Sequence, residues 1–154
     1  MAVKLLRREQ LLPIAIEEAW DFFSSPMNLN EITPEDMKFK VLSEIPQRVY
    51  PGLIILYKIS PFAGIRMGWM TEITQVQPMR YFVDEQRSGP YRIWHHEHHF
   101  EPHPEGVLMT DILHYDIGKG IFGDIAGALF VHKKVKGIFD YRFKKLEALF
   151  PRKA

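Results

Sequence analysis

Five of the seven histidines in this 154-residue chain lie between His95 and His103. An imidazole changes charge near neutral pH and is a common metal ligand, so such a run can move protons or hold an ion. Strand alternation decides which of these groups can work together. Over Ile93 to Glu101, Trp94, His96, His98 and Phe100 share one side, and His95, Glu97, His99 and Glu101 the other. Trp94 and Phe100 make the first set the inner face. The same phasing puts Met109, Asp111, Leu113 and Tyr115 together on the next run, and Phe82, Asp84 and Gln86 together on the run before. Asp84, His96, His98 and Asp111 are therefore expected to point inward, among Trp69, Trp94 and Tyr115. Arg142, near the centre of an apolar helical stripe, faces them. Buried charges are costly unless paired. Either Arg142 pairs with Asp111 or Asp84 and the histidines donate to a carboxylate, or the groups line a wet pocket. In a wet pocket His96, Asp111 and Arg142 are the candidate catalytic groups, with a histidine near neutral pKa facing an aspartate for acid–base work.

A His-x-His pair with a nearby Asp can also make a two-histidine, one-carboxylate metal site. The run is rich in histidine on both faces, however, and the sequence leads us to expect no metal and no cofactor. His95, His99 and His103 read as a solvated patch. No nucleophile motif, phosphate loop or dinucleotide fingerprint is present.

The elements that must position these residues follow from periodicity and breakers. Val3 to Leu12 reads as a strand ended by Pro13. Glu17 to Ser24 reads as a short helix with Ile16, Ala19, Trp20 and Phe23 on its apolar side, and Asn28 to Ile32 as one more helical turn before Thr33-Pro34. Strands are then expected over Met37–Glu44, Leu53–Ile59, Ile65–Val76, Arg80–Arg87, Ile93–Glu101 and Val107–Ile117, with Pro61 to Gly64 as a loop. Gly118, Gly120 and Gly123 loosen the approach to a helix over Ile121 to Phe150. Its apolar residues Ile121, Ala128, Val131, Val135, Ile138, Phe139, Leu146 and Leu149 recur at spacings of three and four. Asp124 suits the positive end of its dipole, and Pro151 marks its end. His132 sits at the edge of the stripe. Phe130 and Tyr141 fall on the back, where a homodimer partner could cover them.

Composition bounds the function. Lys and Arg number 20 and Asp and Glu 19, a formal charge of +1, which argues against a broad nucleic-acid face. There is no cysteine, so thiolate chemistry, disulfides and cysteine metal sites are excluded. No apolar run reaches the length of a membrane span, and the N-terminus has no signal-peptide core, so a cytoplasmic location is expected. The length suits one domain over residues 1–154.

The segment Ala-Trp-Asp-Phe-Phe-Ser-Ser-Pro-Met-Asn-Leu-Asn-Glu-Ile-Thr-Pro, residues 19–34, resembles the start of the SRPBCC superfamily, which holds START lipid-transfer domains, birch-pollen-allergen-like proteins and polyketide cyclases. Phe82 to Gln86, Gly89-Pro90-Tyr91, Trp94, His96 and Phe100 resemble a bacterial cyclase/dehydrase-like branch, as do Met109, Asp111, Tyr115 and Ile138 to Arg142. The resemblance implies an α+β helix-grip fold, a curved antiparallel sheet of six or seven strands around the long C-terminal helix. It also implies a cavity for a small hydrophobic or amphipathic ligand. The residues expected around that ligand are Trp69, Phe82, Asp84, Trp94, His96, His98, Met109, Asp111, Tyr115, His132, Val135, Phe139 and Arg142. A carrier or sensor is the first reading; a polyketide cyclase or dehydratase using the same cavity is the second.

Overall fold

The computed structural model describes residues 3–62, 64–118 and 125–152, with the side chains of Ile125 and Ala126 left aside. The expectations for Ile121, Asp124, Gly120 and Gly123 lie outside the described residues. In chain order come β1 (Lys4–Leu12), α1 (Ile16–Phe23), two 3-10 segments (Pro26–Ile32 and Glu35–Met37) and β2 (Lys40–Val41). Then follow β3 (Ile54–Phe62), β4 (Ile65–Gln77), β5 (Tyr81–Ser88), β6 (Ile93–His103), β7 (Gly106–Asp116) and α2 (Ile125–Leu149). The seven strands form one antiparallel sheet in the order β1-β7-β6-β5-β4-β3-β2. This is the helix-grip arrangement expected from the sequence. Strands β3 to β7 run as a meander of short turns, β2 joins β3 through the longer segment 42–53, and β1 closes the far edge against β7.

Two bulges in the β4–β5 ladder, at Met70/Thr71 and Ile73/Gln75, bend the sheet. A bulge adds a residue to one strand and increases local twist, which gives a sheet the curvature it needs to hold a helix. The second bulge also resets the phase, so that Trp69, Thr71 and Ile73 and then Val76 face the interior. A third irregularity, between Ile59 and Phe62, carries β3 through Pro61. The expected loop at Pro61 is thus partly strand, because proline is tolerated where the ladder is already broken.

The strand expected over Met37–Glu44 is a correction. Pro34 starts a 3-10 turn, Lys38 adopts a left-handed conformation at φ 46°, and only Lys40 and Val41 pair in register with β3. The alternation there still has a purpose, since Phe39 packs on Tyr57 with ring centroids 4.7 Å apart.

Helix α2 buries Val131, Val135, Phe139, Arg142 and Leu146, at spacings of four, four, three and four. Its 25 residues span about 37 Å at the usual rise. Strand β1 clips it in place. Arg8 reaches Asp140 at 2.6 Å, and Gln10 Nε2 donates to the Phe143 carbonyl at 2.9 Å. The core forms two apolar clusters. One gathers Leu12, Trp20, Phe23, Phe82, Phe100, Met109 and Leu146; the other gathers Leu6, Phe62, Tyr91, Leu113, Tyr115, Val131, Val135 and Phe139. Leu129 and Phe130 stay exposed, although the Phe130 ring lies 6.4 Å from that of Phe62, and Tyr141 is half-buried near Pro34 and Asp36. No described helix is long and apolar enough to cross a membrane.

Candidate functional site

Helix α2 is clipped to β1 at Asp140 and Phe143, while nearer its start Phe130 meets Phe62 of β3 and Lys134 bonds Asp36, and a gap remains between α2, the sheet and the Pro26–Met37 segment. A cavity of about 160 Å³ fills that gap. Its floor comes from β3 to β6, its roof from Ile138, Phe139 and Arg142 of α2, and one end from Phe22 and Phe23. The segment from Pro26 to Met37, with Leu29 and Ile32, closes the side. An apolar cavity of about 150 Å³ is enough to hold a benzene ring, so this one suits a compact ligand.

Most of the lining is apolar; Ser25, Asn28, Thr33 and Thr71 add uncharged polar groups, and the ionisable groups Asp84, His96, His98 and Arg142 gather in one patch. Register builds it. Asp84 of β5 is opposite His96 of β6, and His98 of β6 is opposite Asp111 of β7. The bonds run on the diagonals. His98 Nε2 donates to Asp84 Oδ2 at 2.6 Å, and His96 Nε2 donates to Asp111 Oδ1 at 2.9 Å. Arg142 Nη2 lies 3.4 Å from the same Asp111 oxygen. The rings of His96 and His98 are 3.8 Å apart, and Phe82 stacks on His98 at 4.1 Å. Phe139 meets His96 edge-on at 5.4 Å, and the Arg142 guanidinium lies 5.4 Å from the Phe23 ring. The patch therefore sits at the seam between the two apolar clusters. Two of its buried nitrogens, His98 Nδ1 and Arg142 Nε, lack a hydrogen-bond partner. His98 Nδ1 is 3.4 Å from Asp111 Oδ1 but without bonding geometry.

Charge in the patch follows from these contacts. Burial alone pushes the Asp111 carboxyl up, but the Arg142 charge and the hydrogen bond from His96 outweigh it and hold Asp111 well below the usual carboxylate range. Asp84 is likewise held down, burial being overcome by the His98 hydrogen bond and the neighbouring positive groups. The two histidines diverge. Burial and the nearby His98 lower His96, while for His98 burial is outweighed by the flanking carboxylates, which raise it. Two carboxylates, one guanidinium and one imidazolium cancel. His96 donates from Nε2 to Asp111, and the opposite shifts favour the neutral form at His96 and the charged form at His98. Burial also pushes the Tyr57 and Tyr91 hydroxyls of the cavity wall up, so both stay protonated at neutral pH.

Of the residues expected around a ligand, Trp69, Phe82, Asp84, Trp94, His96, His98, Phe139 and Arg142 line the cavity. Met109, Asp111, Tyr115, His132 and Val135 do not. Met109 and Val135 are packed into the core, at 1% and 0% exposure. Asp111 stands behind the histidines and acts through them. Tyr115 and His132 form their own hydrogen-bonded, stacked pair. The ion pair expected for Arg142 is with Asp111. Sequence reasoning missed Tyr57, which alternates with Ile55 and Ile59 on β3 and could have been found by its period of two. It also missed the Pro26–Met37 wall, whose apolar residues follow no period.

The chain's likenesses agree with this architecture. A crystal structure of protein CV1439 from Chromobacterium violaceum superposes with TM-score 0.73 at 15% identity, covering 97% of this chain and 99% of that one. TTHA0849 from Thermus thermophilus gives TM-score 0.66 at 18% identity, over 94% and 95% of the two chains. A major latex-like protein from Panax ginseng gives 0.58 at 15% identity, over 90% and 95%. These show a shared fold. No curated protein matches by sequence. The family model for polyketide cyclase / dehydrase and lipid transport matches residues 12–150, and the chain belongs to that family.

Proposed function

We propose that the protein is a carrier or sensor for a small amphipathic molecule, held between the sheet and α2 with its apolar body on the aromatic wall and its polar end at the Asp84–His96–His98–Arg142 patch. The observation that carries this reading is the distribution of polarity, one cluster of charged and imidazole groups in a mostly apolar cavity of about 160 Å³. Apolar lining supplies contact area, and a few convergent polar groups fix orientation. Membership of a family described by cyclase, dehydrase and lipid-transport activities supports a hydrophobic ligand in general. A compact single- or two-ring molecule fits the volume better than a full lipid chain.

A cyclase or dehydratase is the second reading. It is favoured by one arrangement: two imidazoles on the cavity wall with rings 3.8 Å apart, one lowered by burial and the other raised by the flanking carboxylates, which suits a base and an acid side by side. Native mass spectrometry of protein isolated from its own host tests the proposal. A single co-purifying small molecule, released on unfolding, supports a carrier. A set of products related by loss of water supports the enzyme. Protein that elutes at its bare mass under gentle conditions, and takes up no added amphipathic ring compound, contradicts both.

A further inference from the structure

We propose that Asp84, His96 and His98 form a site for one divalent first-row transition cation, zinc or iron(II) by donor chemistry, in the polar wall of the cavity. Among the described residues, these three bring a carboxylate oxygen and two imidazole nitrogens within 4.8 Å of one another. Asp84 Oδ2 is 2.6 Å from His98 Nε2 and 3.5 Å from His96 Nδ1. Ligand atoms bound at about 2.1 Å to one tetrahedral or octahedral ion stand roughly 3.0–3.4 Å apart. The longer edge is already near that spacing, and the shorter one must open by less than about 1 Å. Asp84 can supply this movement, since its side chain faces the cavity and keeps 18% exposure.

The outer nitrogens make the stronger argument. A histidine bound to a metal through one nitrogen needs a carboxylate or carbonyl for the N–H on its other side. His96 would bind through Nδ1, and its Nε2 already donates to Asp111 at 2.9 Å. His98 would bind through Nε2, and its unsatisfied Nδ1 lies 3.4 Å from the same Asp111 oxygen. One buried carboxylate thus stands behind both imidazoles, and Arg142 holds that carboxylate charged. The ion replaces the proton shared between His98 and Asp84. With both imidazoles neutral, two carboxylates, one guanidinium and a divalent ion leave the patch at +1. The open coordination positions face the cavity, so an anionic oxygen from the bound molecule, a carboxylate or an enolate, completes both the shell and the charge.

The sequence pointed away from a metal because histidine is abundant on both strand faces. The structure separates the two sets. The outer His95 bonds Glu85 at 2.9 Å and lies 3.5 Å from Glu97, which also takes His99 at 2.8 Å, and these side chains stay about a third exposed. The inner pair is buried, at 6% and 7% side-chain exposure, and converges on Asp84 with Asp111 behind it. This inference goes beyond the carrier reading and rests on the cavity wall alone, whatever occupies the cavity.

The test is calorimetric titration of untagged, chelator-stripped protein with Zn²⁺, and with Co²⁺ for its visible spectrum. Expected is one ion per chain with Kd below about 1 µM, and Co²⁺ absorption typical of nitrogen and oxygen donors. Asp84→Asn and His98→Gln should each weaken uptake by more than about 100-fold, and Asp111→Asn by about 10–100-fold. The outer double variant His95→Gln/His99→Gln should bind as wild type. Should the inner variants fail to fold, anomalous scattering at the zinc edge from soaked wild-type crystals must show a peak between Asp84, His96 and His98. No stoichiometric uptake by the wild type, a peak on the outer face, or loss of uptake in the outer double variant overturns the proposal. Binding of an uncharged ring compound to the stripped protein is unaffected by that failure, so the carrier reading stands or falls separately.

Discussion

Asp111 is the residue on which the polar patch depends. It touches no cavity space, yet it accepts from His96 and lies beside Arg142 and His98. Removing one partner of a buried pair leaves the other charge uncompensated, at a cost of about 3–5 kcal/mol when the pair is fully buried. Arg142 and Asp111 side chains are 8% and 9% exposed. Arg142→Met should therefore lower stability by about 3 kcal/mol, toward the low end because His96 still donates to Asp111. Urea denaturation at neutral pH measures it, and a loss under about 1 kcal/mol would mean the guanidinium gains nothing from Asp111. The same charges make stability depend on pH in the chelator-treated protein. His96 is lowered from 6.5 on folding, so the unfolded chain binds more protons below that value and stability falls as pH drops from 6.5 through the folded value. His98 is raised, so its contribution is complete below 6.5 and is lost as pH rises through its folded value. The two limbs belong to a coupled pair, and together they give a stability maximum near neutrality. His96→Gln should flatten the acid limb of a melting-temperature series and leave the alkaline limb; an unchanged acid limb would contradict the assignment.

At the scale of elements, one turn and a clip set the geometry. The β6–β7 turn brings Gly106, at φ 141°, against the end of β1, where an added Cβ would stand 2.1 Å from the Leu12 carbonyl oxygen. That is a backbone contact and cannot move aside alone. Gly106→Ala should cost at least about 1–3 kcal/mol and slow β1 docking; thermal melts that match wild type would show that the turn can reorganise. The strands that carry the patch were legible in the sequence because Phe82/Asp84, Trp94/His96/His98/Phe100 and Met109/Asp111 alternate without interruption. Where a bulge or a proline interrupts the ladder, alternation misleads. Met37–Glu44 alternates like a strand but is mostly 3-10 turn and loop, since Thr33-Pro34 and the left-handed Lys38 divert the backbone. The stripe of α2 was legible for the same reason as the strands, a clean period with charge on the far side. What it could not reveal was where along the sheet the helix lies. Arg8–Asp140 and Gln10–Phe143 fix that, and neither contact has a signature in sequence.

How α2 crosses the sheet shapes the whole molecule. It is clipped to β1 at Asp140 and Phe143 and meets Phe62 of β3 at Phe130. Met109 and Val135 are packed into the core and Tyr115 is bonded to His132, while the cavity lies over β3 to β6 beneath Ile138, Phe139 and Arg142. The cavity walls include two tryptophans, Trp69 and Trp94, whose rings meet at 5.1 Å. Trp20, 3% exposed, packs in the core and is not part of the lining. These three indole N–H groups are built-in reporters for the central claim, that a compact amphipathic molecule enters this cavity. The measurement is a ¹H–¹⁵N NMR titration of the protein with 2-naphthol. The account predicts that the Trp69 and Trp94 indole signals shift together and saturate at one molecule per chain, while Trp20 stays near its place. No saturable shift at either tryptophan up to the solubility of the probe, with the spectrum of a folded protein, would contradict it.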